Sequence, residues 1–179
     1  MGVNILRLIK AVLFGLVGLF IIITLLSLLI PSTVVVSRAT VINGTSIKKL
    51  LAQTTDLKNW KNWHPAFKSD SVAKSFTDGP AGKSSAAAIV YNQKTTDLII
   101  TAVEDSSVQF SLRSPGENEI DNRLMFTTVS NTGSIKVEWL ALNKLQWYPW
   151  QKFYAIFLDK ISGPGYETAL AGLKSYMER

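Results

Sequence analysis

The sequence predicts an α+β domain carried behind a single apolar helix. Three observations predict it: an uncharged run of 20 residues from Ala11 to Ile30, a central stretch of short one-sided apolar segments separated by turn residues, and a C-terminal stretch with apolar residues at helical spacing. With 47% hydrophobic and 18% charged residues among 179, the chain has the composition of a packed protein and not of a disordered one.

The first element is set by length and polarity. At about 1.5 Å per residue, a 20-residue helix reaches roughly 30 Å, the thickness of a bilayer's hydrocarbon core. Residues 11–30 are mostly Val, Leu, Ile and Phe, and Thr24 and Ser27 can return their hydroxyls to carbonyls one turn back. Pro31 stops the helix where the apolar run ends. A cleaved signal peptide is the competing reading; its apolar region would be about 7–15 residues and followed by a small-x-small site, whereas this run leads into Leu29-Ile30-Pro31-Ser32. Arg7 and Lys10 precede the run and Arg38 is the nearest charge after it, so the positive-inside rule puts the N-terminus in the cytoplasm and the rest outside it, in a periplasm or at the cell exterior. Residues 1–31 are thus expected to be a cytoplasmic stub and single transmembrane anchor, with the lipid bilayer as partner through residues 11–30. Ala11-x-x-x-Gly15 is a small-residue pair of the kind that brings two such helices together, and a frequent chance occurrence.

Residues 32–179 form one domain, large enough to bury a core without a metal or a disulfide. Thr33–Ile42, rich in β-branched residues, reads as a strand. Asn43-Gly44-Thr45-Ser46 is a turn with a helix-capping residue, and Ile47, Leu50 and Leu51 give the stripe of a short helix; a second short helix holds Leu57, Trp60 and Trp63. Val72–Phe76, the turn Asp78-Gly79-Pro80-Ala81-Gly82, then Ser84–Tyr91, Asp97–Val103, Val108–Leu112 and Glu119–Val129 continue as strands; Asn131-Thr132-Gly133 turns the chain into Ser134–Leu142. Val108, Phe110 and Leu112 share one face, as do Ile135, Val137, Trp139 and Ala141, and such strands need a covering layer. A helix starting at Pro149, interrupted at Gly163-Pro164-Gly165 and resuming through Tyr166, Leu170, Leu173 and Met177, supplies it. The expected domain is a curved antiparallel sheet around a long, broken C-terminal helix.

Composition closes off much chemistry. There is no Cys, so disulfides, thiolate metal sites and Cys nucleophiles are excluded; there is one His, so no His-rich metal centre exists. No metal or cofactor is expected. The net charge of +6 is modest and its longest basic run is Lys48-Lys49, which argues against nucleic acid as a partner. Lys48, Lys49, Lys58, Lys61 and Lys68 make either a solvated helical surface or a basic face towards anionic lipid or an acidic partner. Glu117, Glu119 and Asp121 read as a solvated acidic turn.

Certain phrases resemble a family. Val41-Ile42-Asn43 before the first helix, Leu57-Lys58-Asn59-Trp60-Lys61-Asn62-Trp63, and the tail Leu158-Asp159-Lys160-Ile161-Ser162-Gly163-Pro164-Gly165-Tyr166-Glu167 with Leu170-x-x-Leu173-Lys174 look like the START-like, polyketide cyclase/dehydrase and lipid-transport (SRPBCC) superfamily, whose fold is the helix grip. The layout is similar to its membrane-anchored bacterial members, and departs from related tails at Pro164, where a basic residue is common. The resemblance implies a cavity between sheet and last helix, suited to an apolar ligand. Inward candidates are Tyr91, Phe110, Phe126, Trp139, Phe153 and Phe157, with Trp60, Trp63, Trp147 and Trp150 near the mouth. The plainer alternative is that these aromatics fill the core. Trp147-Tyr148-Pro149-Trp150 also suits a loop lying at a membrane interface.

The function these readings imply is a membrane-tethered domain that binds a hydrophobic small molecule or lipid without transforming it. A cyclase- or hydrolase-like enzyme would have to use His64, the one side chain titrating near neutrality, with Asp70 or Glu104 as candidate partners that no spacing argument pairs with it. A third reading is an interaction module whose aromatic loop meets a membrane protein; its protein partners are unknown.

Overall fold

The computed structural model describes residues 5–77, 81–91, 93–130 and 132–179, and of Tyr91 the backbone alone. The turn at Asp78-Gly79-Pro80 and Asn131 lie outside the described residues. Hydrophobicity decides the first element: α1 spans Ile5–Ser27, has a mean hydropathy of 2.6 over its most apolar window, and buries none of that window against the rest of the chain. One N-terminal helix is therefore long and apolar enough to cross a membrane, a description that a signal sequence also meets. Thr24 Oγ1 donates to the Phe20 carbonyl at 2.8 Å, as expected, whereas Ser27 Oγ reaches the Thr24 carbonyl, three residues back, at 2.8 Å.

Seven strands follow in one open antiparallel sheet: β1 (Thr33–Ile42), β2 (Ala73–Phe76), β3 (Ala86–Tyr91), β4 (Lys94–Glu104), β5 (Ser107–Arg113), β6 (Ile120–Val129) and β7 (Ser134–Lys144), ordered β1-β7-β6-β5-β4-β3-β2. β2 to β7 form a meander, and only β1 crosses over to pair with β7. Register is set by the apolar face, because a one-residue slip would turn that face to water. Ile42 lies opposite Ile135, Val36 opposite Ala141, Leu124 opposite Trp139 and Phe126 opposite Val137, and all eight are buried. A bulge between Ile100 and Ala102 breaks the β4–β5 register, where a bulged strand bends and twists more strongly.

One end of the sheet is closed by short helical pieces between β1 and β2. Ser46 caps α2 (Ile47–Thr54) by accepting from the Lys49 N–H at 3.4 Å; Asp56 caps a 3-10 turn over Leu57–Asn62 by accepting from the Lys58 N–H at 2.9 Å; α3 (Pro65–Lys68) follows. Leu50, Leu57, Trp60, Trp63 and Phe67 are buried here. The two indoles enter the core because each N–H finds a carbonyl: Trp60 Nε1 donates to Thr54 at 3.0 Å and Trp63 Nε1 to Gln53 at 3.3 Å.

The covering helix differs from expectation. The chain forms α4 (Pro149–Ala155) and then α5 (Leu158–Met177), so the interruption falls at Ile156-Phe157 and α5 runs unbroken through Gly163-Pro164-Gly165. Pro164 is exposed and removes one backbone donor, at a cost of roughly 3 kcal/mol in a helix interior. The packing of Leu158 before it and of Ala169, Leu170 and Leu173 after it offsets that cost, since all four are buried.

A clamp from β1 also holds α5 across the proline. The Arg38 guanidinium donates to Asp159 at 2.7 and 3.0 Å and to Glu167 at 2.5 Å, and so bridges carboxylates eight residues apart. Gly163 lies midway between them on the same helical face, and a Cβ there would stand 2.1 Å from Arg38 Nη2. Glycine at 163 is the space in which the guanidinium lies. The pairing raises the Arg38 pKa and holds Asp159 below the usual carboxylate value. Gly163→Ala and Arg38→Ala are each expected to lower the melting temperature, and the double variant no further than the worse single one, because both remove the same clamp. Additive losses in a double-mutant cycle would refute it.

Candidate functional site

Between the sheet and the first half of α5 lies a cavity of about 330 Å³. Its floor is the apolar face of the sheet: Leu98 of β4, Phe110 and Leu112 of β5, and Trp139 of β7. The Trp139 Nε1–H donates to buried Asn122 Oδ1 at 2.9 Å, which satisfies that indole's one polar group. Ser162, Gly165 and Tyr166 of α5 form the roof, and Trp60, His64, Ala66 and Phe67 close one end. Gly165 is exposed while Leu112, Ile89 and Thr96 are half-buried, so the hollow reaches the surface along this edge. A second crevice of about 290 Å³, between β6, β7 and the α4–α5 segment, is lined by Tyr154, Leu158 and also Ser162, which puts the two spaces on either side of one residue.

His64 is the unusual member of the wall. Its ring stacks on Trp60 at 5.3 Å and meets Trp63, Phe67 and Trp139 at 5.3, 5.5 and 6.0 Å between centroids. Its Nδ1 is buried and has no hydrogen-bond partner among the described residues. Loss of water around the charged form pushes its pKa down to about 4, so the imidazole is neutral at physiological pH. Burial likewise pushes Tyr166 up. The carboxylates considered for His64 are elsewhere. Glu104 accepts from Ser107 and Gln109 at 2.7 and 3.0 Å, and Asp70 is exposed in the turn after α3; neither lines the cavity. Among the described residues, no three of His, Asp and Glu gather where they could hold a metal. Glu117 pairs with Lys94, Glu119 with Arg113 at 2.9 Å and Asp121 with Lys144 at 2.8 Å, so the acidic turn is neutralised locally.

The residues singled out in the sequence separate into three groups. Trp60, Phe110 and Trp139 line the cavity together. Trp63 and Phe126 are buried in the core behind it: Trp63 packs on Trp60 at 4.8 Å instead of standing at a mouth, because its N–H is satisfied inside. Trp147, Trp150, Phe153 and Phe157 do not reach the cavity. They are exposed on α4 and its flanks, since the chain breaks at Ile156-Phe157 and turns these side chains away from the sheet. The Tyr91 side chain lies outside the described residues. Reading the sequence missed Leu98, Phe67 and Tyr166 as lining residues. The signal for Tyr166 was its helical spacing with Leu170, which put it on the face of α5 turned to the sheet. Lys48, Lys49, Lys58, Lys61 and Lys68 are exposed and take no salt bridge among the described residues.

The fold is shared with bacterial proteins of known structure. No protein-family model matches the chain, and no curated protein matches it. Among solved structures it is similar to a protein of unknown function from Staphylococcus aureus, with a TM-score of 0.62 at 15% identity over 82% of this chain and 94% of that one. A structural-genomics protein from Nitrosospira multiformis matches with a TM-score of 0.56 at 17% identity, over 80% and 96% of the two chains. A hypothetical protein from Helicobacter pylori matches with 0.58 at 10% identity, over 80% and 88%. Likeness at these identities shows the architecture and carries no activity with it.

Proposed function

We propose that this chain is a membrane-tethered binding domain that takes a small hydrophobic molecule between its sheet and α5, in a fold of the helix-grip, START-like type. The observation that carries the reading is the hollow of about 330 Å³, walled by Leu98, Phe110, Leu112 and Trp139 where α5 and a solid core would otherwise meet. Ligand sites are mostly apolar with a few polar anchors, and they start at about 300 Å³. This one suits a small apolar molecule or one section of a longer chain. Neutral His64, with a buried and unpartnered Nδ1, is the polar group available to orient a guest. Among the described residues no carboxylate lines the hollow beside it, which favours binding over acid–base catalysis. In this reading α1 is an uncleaved single-pass anchor with Arg7 and Lys10 on the cytoplasmic side, the domain lies on the other side, and the crevice touching Ser162 is a second way in.

Native mass spectrometry of the detergent-extracted full chain is expected to show a retained small molecule, or one-to-one uptake of an added apolar probe such as 1-aminoanthracene. Leu112→Trp fills the hollow from its half-buried rim and is expected to weaken uptake about tenfold or more, a loss of roughly 1.4 kcal/mol, with the melting curve unchanged. Equal uptake by the folded variant would remove the cavity from consideration.

A further inference from the structure

We infer that α4 and its junction with α5 form a membrane seat, an apolar platform that rests in the headgroup–acyl boundary of the same bilayer that holds α1. Soluble surfaces seldom leave large aromatics in a contiguous open group. Here Trp147, Trp150 and Ile156 are 59%, 63% and 60% exposed, and Tyr154, Phe157 and Ile161 are more than half exposed beside them. Tyr148 stacks on Trp150 at 4.9 Å and tilts against Trp147 at 4.9 Å, so the three rings form one cluster. Trp and Tyr are the residues that gather at membrane–water interfaces, where one end of the side chain is wet and the other is not.

What identifies the occupant as lipid, and not a protein, is where this platform is fixed. α4 packs against α1. Lys152, in the middle of α4, is 2% exposed, and its Nζ donates to the Ile30 carbonyl at 3.0 Å and to Ser32 Oγ at 2.8 Å. Those acceptors lie where the chain leaves α1, so the ammonium sits at the negative end of that helix. The Leu145 N–H donates to the Ser32 carbonyl at 2.8 Å from the other side. With 23 residues, α1 is about 34 Å long and slightly exceeds the hydrocarbon thickness, so its last turn reaches the interface. A helix tied to that turn is held at the same depth. Leu28 and Leu29, at the same end of α1, are themselves 60% and 81% exposed. By contrast α2 begins beyond the far end of β1, a ten-residue strand of roughly 33 Å, so Lys48 is a distant reference point.

The inference rests on α1 crossing the bilayer, and the experiment separates the two claims. The chain has no Cys, so single substitutions accept one label each. Full-length Trp150→Cys, Tyr154→Cys, Phe14→Cys and Lys48→Cys variants carry an environment-sensitive nitrobenzoxadiazole label in vesicles of phosphatidylcholine and phosphatidylglycerol. The seat predicts blue-shifted emission at 150 and 154, quenched by lipids spin-labelled near the headgroup. Position 14 is quenched by lipids spin-labelled deep in the acyl chain, and position 48 stays aqueous and unquenched. Quenching at 14 with aqueous emission at 150 and 154 overturns the seat and leaves the span standing. Labels at 150 and 154 that are shielded from water but not quenched by lipid overturn it in favour of a protein cover. Absence of quenching at 14 overturns both.

Discussion

Gly172→Ala is expected to destabilise the protein by about 3 kcal/mol, lowering the melting temperature by roughly 6–12 °C, although alanine is the better helix former by about 1 kcal/mol. A Cβ at 172 would stand 2.2 Å from the Trp63 carbonyl oxygen and 3.3 Å from its carbon. That is backbone, and it cannot swing aside: Trp63 is fully buried, its indole donates to Gln53, and its amide and that of His64 both donate to the Trp60 carbonyl, at 3.1 and 2.7 Å. Relief requires α5 to lift off the segment that ends the cavity. Gly165→Ala in the same helix is the control, because no described neighbour lies within 4 Å of its added Cβ. It should stabilise by about 0.5–1 kcal/mol through helix propensity alone. Urea unfolding of both variants should therefore give opposite signs; two changes of the same sign would refute the close approach of α5 to Trp63.

That contrast explains what the sequence made legible. Facing comes from alternation, which depends on neighbouring residues, so β5 with Val108, Phe110 and Leu112 on one face, and β7 with Ile135, Val137, Trp139 and Ala141 on one face, are readable from the sequence, whereas the crossover that pairs β1 with β7 is not. Helix continuity depends on partners far along the chain. Gly163-Pro164-Gly165 reads as a breaker from its own propensities, and only Arg38, 125 positions before Gly163, shows why the helix survives there. The same holds for the break actually found, since Ile156-Phe157 has no local breaker residue.

A hollow between sheet and last helix is what the family resemblance implies, and the residues themselves say little about its walls. Phe110 and Trp139, inward candidates in the sequence, line the hollow, whereas Trp60, expected near a mouth, is fully buried at one end of it; Phe153 and Phe157 read as inward only if one helix runs on from Pro149, and the turn at 156–157 moves them out to the surface. Aromatic content alone cannot tell a lining residue from an interfacial one, because both places favour large rings with a polar edge. What separates them is the neighbour: His64 for the buried set, and the end of α1 for the exposed set.

Acid is expected to destabilise this protein through His64 as the pH falls from 6.5 towards 4. The folded pKa is about 4, set by loss of solvation, against an unfolded value near 6.5. Above pH 6.5 both states are neutral and His64 contributes no pH dependence. Between 6.5 and 4 the unfolded chain binds a proton that the folded chain refuses, so stability falls as pH falls, by about 2 kcal/mol at pH 5 and about 3 kcal/mol in full. The sign is opposite to that of a histidine paired with a carboxylate, which would gain stability over the same window. His64→Phe keeps a ring among Trp60, Trp63, Phe67 and Trp139 but binds no proton, so its urea midpoint should be flat from pH 7 to 5 while that of the parent drops. Parallel curves would mean that the imidazole is hydrated in the folded state, and a cavity wet enough to hydrate it would not select an apolar guest. A falling curve in the parent alone ties the dryness of the hollow to a measured free energy, independently of which molecule fills it.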